Sequence, residues 1–124
     1  MTLEEYFDTV KGHGVLSTAD ADGRVAAALY ARPHVMDDGT LAFIMRDRLT
    51  HHNIGTNPHA AYLFIEDGKG FTGKRLYLTK VREEADSPLI AELQRRKYKE
   101  PVTEHRYLVF FKVDKELPLV GTHE

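Results

Sequence analysis

Apolar residues at the start of the chain recur at the three- and four-residue spacing of one helix face. They are Leu3, Tyr6, Phe7 and Val10. Thr2 precedes them, and Glu5 follows Thr2 by three residues, which is the pattern of an N-terminal capping box. Gly12 then provides a typical helix stop. The pattern predicts a helix from about Thr2 to Lys11, packed on the rest of the protein by its apolar face.

The next three apolar segments are separated by short turns rich in aspartate and glycine. The segments are Val15 to Ala19, Val25 to Met36 and Leu41 to Met45, and the turns are Asp20 to Gly23 and Asp37 to Gly39. Aspartate and glycine are the residues that tight turns favour. We therefore predict three strands that form an antiparallel meander.

A proline lies inside the second of these predicted strands. Pro33 has no backbone N–H, so it cannot donate to a neighbouring strand. A proline in a strand marks an edge, a bulge or a place where the strand leaves its partner. The sequence leaves these three interpretations open.

The second half of the chain contains three more strand-like segments and one helix start. The segments run from Ala60 to Ile65, from Arg75 to Val81 and from Tyr107 to Val113, and Ser87-Pro88 is typical of a helix beginning. The residues after 113 are interpreted as a tail. Six strands with hairpin connections predict a small, closed or nearly closed antiparallel barrel, because closure removes exposed strand edges.

Size and composition indicate a single domain, residues 1–124. The net charge of −2 does not favour nucleic acid or an anionic membrane as a partner, and the absence of cysteine excludes disulfides and thiolate chemistry. No run approaches the roughly 18 apolar residues of a membrane span. The acidic N-terminus lacks a signal-peptide pattern, so a cytoplasmic location is expected.

Two arginines and a threonine follow the Leu41 to Met45 strand. Arg46, Arg48 and Thr50 lie where a short helix begins, and backbone N–H groups and the helix dipole favour an anion there. The sequence therefore predicts an anion site, with Thr50 also acting as the helix N-cap. The alternative is that the arginines are exposed turn charges paired with Asp47.

Two motifs carry a resemblance to a known family. They are Asn53 to Ala60 (NIGTNPHA) and Gly73 to Leu78 (GKRLYL), in this order after the arginines. With the order of elements, they resemble the pyridoxamine 5'-phosphate oxidase-like family of FMN-binding split barrels, especially its small single-domain members. The resemblance covers about residues 2–114. It implies a mainly β (α+β) fold, a six-stranded antiparallel split β-barrel with short flanking helices.

The resemblance also implies a homodimer with FMN in a groove between the two barrels. The flavin ring would lie along two strands, and Arg46, Arg48 and Thr50 would hold the phosphate. Many family members place a lysine at this phosphate, whereas here the cation must be an arginine, whose planar fork suits phosphate. The implied cofactor-binding residues are Leu29, Tyr30, Ala31, Arg32, Ile44, Met45, Arg46, Arg48, Leu49 and Thr50, with Lys74 or Arg75 from the partner subunit.

The resemblance predicts an FMN-dependent oxidoreductase that acts on an unidentified small molecule or redox partner. No residue is recognisable as a general acid, base or nucleophile, which suits chemistry carried by the flavin. A non-catalytic FMN- or haem-binding module, or a structural dimer without cofactor, remains open.

Histidine and basic clusters offer two further interpretations. His51, His52 and His59 invite a metal site, but adjacent histidines on a helix point about 100° apart, and no Cys, Asp or Glu completes a tetrahedral set. The basic residues 95–99 invite nucleic acid, but cations are favoured at the end of a helix. We predict no metal and no nucleic-acid partner.

Overall fold

Short helices separate groups of strands along the chain in a computed structural model that describes residues 1–68, 70–94 and 104–121. In chain order the elements are α1 (Leu3–Thr9), β1 (Gly12–Ala19), β2 (Val25–Leu29), β3 (His34–Val35), β4 (Leu41–Arg46), α2 (Leu49–Thr56), β5 (His59–Glu66), β6 (Gly73–Ala85), α3 (Leu89–Leu93) and β7 (Arg106–Pro118). The described helices are all short, and none is long and apolar enough to cross a membrane.

The first helix forms where its pattern predicts. The Thr2 hydroxyl accepts a hydrogen bond from Glu5 N (3.1 Å), which caps the first turn. Phe7 is fully buried. The strand that follows begins at Gly12, earlier than predicted, so this glycine belongs to β1.

The strands form one antiparallel sheet in the order β2-β1-β5-β6-β7-β4-β3. This confirms a mainly antiparallel fold with short helices, but the described residues form seven strands, where six were predicted. Both hairpin pairings of the predicted meander are present, but its middle strand, predicted from Val25 to Met36, is wrong as a single strand because it divides into β2 and β3. The hairpins β1–β2 and β3–β4 lie at opposite edges of the sheet, and the edge strands β2 and β3 do not pair across the described residues.

The extra strand arises where the chain changes its partner at residues 30–33. Tyr30 N still donates to Gly14 O in β1 (2.9 Å), and His34 then pairs with Ala42 in β4. Pro33 lies between these two pairings, which confirms the interpretation that the strand leaves its partner. We call residues 30–33 the crossing segment. It joins the two sheet edges through the chain itself, so the barrel stays open along this line.

Aromatic side chains fill the inside of the curled sheet. Phe43 contacts the edges of the Tyr62 and Phe111 rings, with centroids 5.0 and 5.7 Å apart, and Phe7 meets Phe64 in the same way at 5.4 Å. Edge-to-face contacts of this kind stabilise a core beyond the area that they bury. The helix α1 therefore closes one side of the core with Phe7.

Both faces of β4 are covered, which explains its continuous apolar sequence. Phe43 and Met45 face the aromatic core, whereas Ala42 belongs to a second buried cluster that includes Leu108 and the α3 residue Ile90. Adjacent side chains of a strand point to opposite faces. The single run of apolar residues thus serves two packing layers.

The last strand is longer than the sequence indicates. Residues 114–118 were predicted to be a tail, but they continue β7, and Pro118 lies opposite Lys74 of β6. Their charged side chains resemble a tail because this stretch is largely exposed. A helix does follow Ser87-Pro88, but it begins at Leu89 with Pro88 as its N-cap, one residue later than predicted, and Ser87 Oγ accepts from Leu89 N (3.2 Å). The basic residues 95–99 lie outside the described residues.

A substitution at Gly14 tests how the crossing segment is held against the rest of the sheet. A Cβ at this position would lie 1.9 Å from Tyr62 Oη, and that hydroxyl donates to Tyr30 O (3.0 Å). Tyr62 is fully buried and cannot swing aside. We expect Gly14→Ala to lower the free energy of unfolding by about 1–3 kcal/mol, measured by urea denaturation.

Gly55→Ala in α2 is the matched control. A Cβ there meets no described atom within 4 Å. Alanine is the better helix former, so this variant should be unchanged or more stable by up to about 1 kcal/mol. Equal losses in both variants would contradict the proposed contact.

Candidate functional site

A groove of about 490 Å³ opens along the split of the barrel. Its wall combines the crossing segment with the β4 strand and the start of α2, and α3 and β7 add one residue each. Pockets of this volume commonly hold small molecules and cofactors. The groove lies beside the line where the sheet edges do not pair, so the fold itself provides the opening.

Eight of the predicted site residues are brought together in this groove. They are Leu29, Tyr30, Ala31, Arg32, Ile44, Arg46, Arg48 and Thr50. They come from three separate elements, so their proximity is a property of the fold and not of the sequence spacing alone. Whether they bind a cofactor stays a prediction.

Four predicted residues lie elsewhere in this chain. Met45 is wrong as a wall residue, because strand alternation turns it into the core, where it is fully buried. Leu49 is exposed but does not line the groove. Lys74 binds Glu116 (2.9 Å), and Arg75 donates to Pro118 O (2.9 Å), both away from the groove. Their contribution from a partner subunit stays a prediction.

Three arginines gather at one end of the groove. Arg46 and Arg106 are directly opposite each other in the β4–β7 ladder, so their side chains start on the same face. Arg48 is the N-cap residue of α2 and lines the same wall. Like charges that face each other are unfavourable unless an anion lies between them. This end of the groove is therefore suited to bind an anion.

A carboxylate that the sequence did not reveal contacts this cluster. Glu104 Oε1 lies 2.5 Å from Arg46 Nη2, and Glu104 Oε2 lies 3.4 Å from Arg48 Nη1. The alternative pairing of the arginines with Asp47 is wrong, because Asp47 bonds His52 Nε2 (2.9 Å). The two arginines thus share one anion across their guanidinium groups.

Thr50 stabilises the groove wall but does not cap the helix. Arg48 is the N-cap, so the predicted role of Thr50 as N-cap is wrong; Thr50 is the second helical residue and is buried. Its side chain hydrogen-bonds the phenol of Tyr30. Burial raises the pKa of Tyr30 above its usual value, although the Thr50 hydrogen bond opposes the shift. The phenol therefore stays neutral at physiological pH and can donate a hydrogen bond.

The helix α2 is fixed from two sides. Asn53, the first residue of the Asn53 to Ala60 motif, is buried and donates to Thr18 Oγ1 in β1 (3.1 Å). His51 Nε2 lies 3.0 Å from Glu83 in β6. Burial opposes ionisation of Glu83, but hydrogen bonds from Lys80 and His51 outweigh it and hold the pKa of that carboxyl below its usual value. These contacts determine where Arg48 and Thr50 stand.

The three histidines considered for a metal site have separate partners. His51 bonds Glu83, His52 bonds Asp47, and His59 Nδ1 lies 3.3 Å from the Thr79 hydroxyl. Across residues 1–68, 70–94 and 104–121, no three potential metal ligands come together.

Arg32 lines the groove and also holds the first helix. Its Nη1 donates to Phe7 O (2.9 Å) and to Val10 O (3.1 Å) at the end of α1. They are among the last carbonyls of the helix, where the negative end of the helix dipole favours a cation. Arg32 thus has a structural role that the sequence did not indicate, and its role as a flavin cation stays a prediction.

The sequence did not predict several further residues of the groove. Arg106 was missed because the predicted last strand began one residue later and its register against β4 was unknown. His34 was missed because it was placed inside one long strand, whereas the structure starts a new strand there. Phe43 and Gln94 also line the groove. Only the antiparallel register, which joins residues about sixty positions apart, would have found Arg106.

Arg32 allows a test of its structural role. Arg32→Met should lower the free energy of unfolding by about 1.5–3 kcal/mol, because it removes two charged hydrogen bonds to backbone carbonyls. Arg24→Met is the control, since Arg24 is exposed and pairs only with turn carboxylates in the described contacts. Denaturant unfolding of both variants decides, and equal stabilities would contradict the role.

The sequence matches no family model and no curated protein sequence at a significant level. Solved structures do match its fold. An FMN-binding protein of Syntrophomonas wolfei has a TM-score of 0.76 at 18% identity, covering 98% of this chain and 86% of that chain. HutZ, the haem storage protein of Vibrio cholerae, has a TM-score of 0.70 at 19% identity, covering 95% of each chain.

An F420 reductase also matches, with a TM-score of 0.67 at 20% identity over 86% of this chain and 89% of that chain. Identities this low describe architecture, and one architecture hosts several functions. The neighbours share the open antiparallel sheet and short helices found here. The chain therefore has the split-barrel fold of the pyridoxamine 5'-phosphate oxidase-like FMN-binding proteins.

Proposed function

We propose that the groove binds FMN, with the phosphate at the arginine cluster formed by Arg46, Arg48 and Arg106. The observation that carries the proposal is this cluster at one end of a groove of cofactor size. Arginine binds phosphate through paired N–H groups, and such charged hydrogen bonds are strong. The fold neighbour from Syntrophomonas wolfei, which is an FMN-binding protein, supports the choice of ligand.

The rest of the groove suits a flat ring system. Ala28 and Ala31 present small side chains, and Phe43 and Ile44 provide apolar surface. Bound FMN would supply hydride or electron transfer, and the protein would supply position and electrostatics. The neutral Tyr30 phenol and the Arg32 guanidinium are the polar groups of this wall that could orient the ring.

We further propose that the protein is an oxidoreductase with a small-molecule substrate or redox partner. Of the described groove residues, only His34 carries an imidazole, and none is a carboxylate, a cysteine or a lysine. The remaining polar groups bind and orient. Chemistry confined to the flavin fits this wall, and the catalytic residues stay unassigned.

A homodimer is the proposed assembly, because the outer face of four strands carries a group of apolar residues beside Arg75. Val15 of β1 lies between Leu29 of β2 and Leu63 of β5, and Tyr77 of β6 continues the face beside Ala61. An antiparallel sheet with one solvated face normally carries polar residues there. Leu29 is 77% exposed and also lines the groove, so a second copy on this face would cover the groove mouth.

Haem binding is the second candidate function. His34 places an imidazole on the groove wall, and imidazole is a common haem ligand. The haem storage protein HutZ is among the fold neighbours. FMN is preferred because three arginines match a phosphate, whereas a haem would need more apolar wall around His34.

The purified protein should take up FMN and absorb at about 450 nm, the band of oxidised flavin. Arg46→Ala and Arg48→Ala should each be titrated with FMN, and the arginine that holds the phosphate should cost about 1.5–3 kcal/mol of binding free energy. Arg24→Ala, in the exposed β1–β2 turn, is the control. A colourless protein that does not bind added FMN would refute the proposal. A Soret band lost in His34→Ala would favour haem.

Sedimentation should show a dimer of the wild-type chain. Val15→Glu should shift it towards the monomer, because the carboxylate would be buried between Leu29 and Leu63 in the proposed interface. Phe71→Glu adds the same charge at an 83% exposed residue of the β5–β6 turn and should leave the dimer intact. Monomer mass for the wild type would remove the proposed interface.

A further inference from the structure

We propose that Glu104 is an internal competitor for the ligand's phosphate and thereby sets how strongly the groove prefers phosphorylated ligands. The inference rests on the proposed function for the identity of the flavin, but its anion chemistry stands on the arginines alone. Glu104 presents one carboxylate oxygen to Arg46 (2.5 Å) and the other to Arg48 (3.4 Å). This is the bridging arrangement that two oxygens of a phosphate would adopt.

The strand register explains why Glu104 lies at this place. Arg46 and Arg106 form the last pair of the β4–β7 ladder. The ladder ends there: Arg48 N turns back to donate to Arg46 O (2.9 Å), and Glu104 lies two residues before Arg106. The half-buried Glu104 carboxylate therefore approaches the arginines from the segment that leads into β7.

The ion pairs of Glu104 contribute little to folding. The side chains of Arg46 and Arg48 are 52% and 64% exposed, and ion pairs between such groups typically stabilise a protein by at most about 1 kcal/mol. A purely structural role therefore predicts a small change in stability and no effect on ligand choice. A competitor role predicts instead that removing the Glu104 charge changes anion binding much more than it changes stability.

The competition has two physical parts. The carboxylate occupies the same guanidinium N–H groups that a phosphate needs, and it repels a dianion brought within a few ångströms. Replacing Glu104 by glutamine keeps the shape of the side chain and removes its charge. The net charge of the three arginines together with residue 104 then rises from +2 to +3. An uncharged ligand feels neither part, so riboflavin, which is FMN without its phosphate, isolates the effect.

The test compares Glu104→Gln with the wild type in two titrations. In the first, inorganic phosphate is added at constant ionic strength and followed by two-dimensional NMR of the labelled protein. We expect about fivefold tighter phosphate binding in the variant. In the second, FMN binding should tighten by a similar factor while riboflavin binding stays the same.

Two further variants make the test specific. Glu84→Gln is the matched control, because Glu84 also binds an arginine, Arg82 (2.6 Å), but neither residue lines the groove. It should change neither titration. In the Arg46→Ala/Arg48→Ala background, Glu104→Gln should strengthen phosphate binding by a clearly smaller factor, because the competed guanidinium groups are gone and only the charge repulsion remains.

The outcomes separate this inference from the proposed function. Unchanged or weaker phosphate binding in Glu104→Gln would overturn the competitor role, as would equal changes for FMN and riboflavin. If phosphate binding tightens but no flavin binds to any variant, the competitor role stands and the FMN proposal fails. Thermal unfolding of Glu104→Gln close to that of the wild type would confirm that the fold is intact.

Discussion

The change of strand partner at residues 30–33 is the constraint on which the architecture depends. Tyr30 is still bonded to Gly14 in β1, and four residues later His34 is paired with Ala42 in β4. Because Pro33 cannot donate a hydrogen bond, the two sheet edges meet through a covalent connection and not through a ladder. A barrel built in this way retains a groove, whose wall includes the connection itself.

Electrostatics then distinguishes one end of that groove from the other. The register of β4 against β7 puts two arginines face to face, and the start of α2 adds a third. Such a cluster is costly without an anion, and the nearest one in the described contacts is the carboxylate of Glu104. The arginine cluster can therefore bind either the Glu104 carboxylate or an external anion. The positions that the strands give to the arginines determine which of the two is favoured.

The parts of the fold that depend on neighbouring residues could be predicted from the sequence. The capped helix at Thr2, the turns at Asp20 and Asp37, and the buried run of β4 all follow from local patterns, and the structure confirms them. The strand order could not be predicted, because two separate hairpins at opposite edges carry the same local signals as a meander. Met45 shows the same limit, because neighbouring residues of a strand point to opposite faces. A shift of one residue therefore moves a side chain from the groove wall to the core.

Only about half of the residues of the candidate site could be predicted, and the physical reason is related. Residues 29–32 and 44–50 are continuous segments whose chemistry is visible in order, so their meeting could be inferred from a resemblance. Arg106 enters through a ladder between strands about sixty residues apart, and Glu104 lies two residues before it; no local pattern reports such a pairing. Long-range register, and not residue type, was the missing information.

The Asn53 to Ala60 motif has a consequence for how such chains should be classified. Its buried asparagine ties α2 to β1, and Asn57 Oδ1 accepts from His59 N where the next strand begins. The motif therefore has a structural role: it holds α2 and β5 in place, and none of its residues is among the described groove residues. Chains that share it can be expected to share the frame while their groove walls diverge, so ligand class should be assigned from residues 28–34 and 44–50 and from the residues opposite them.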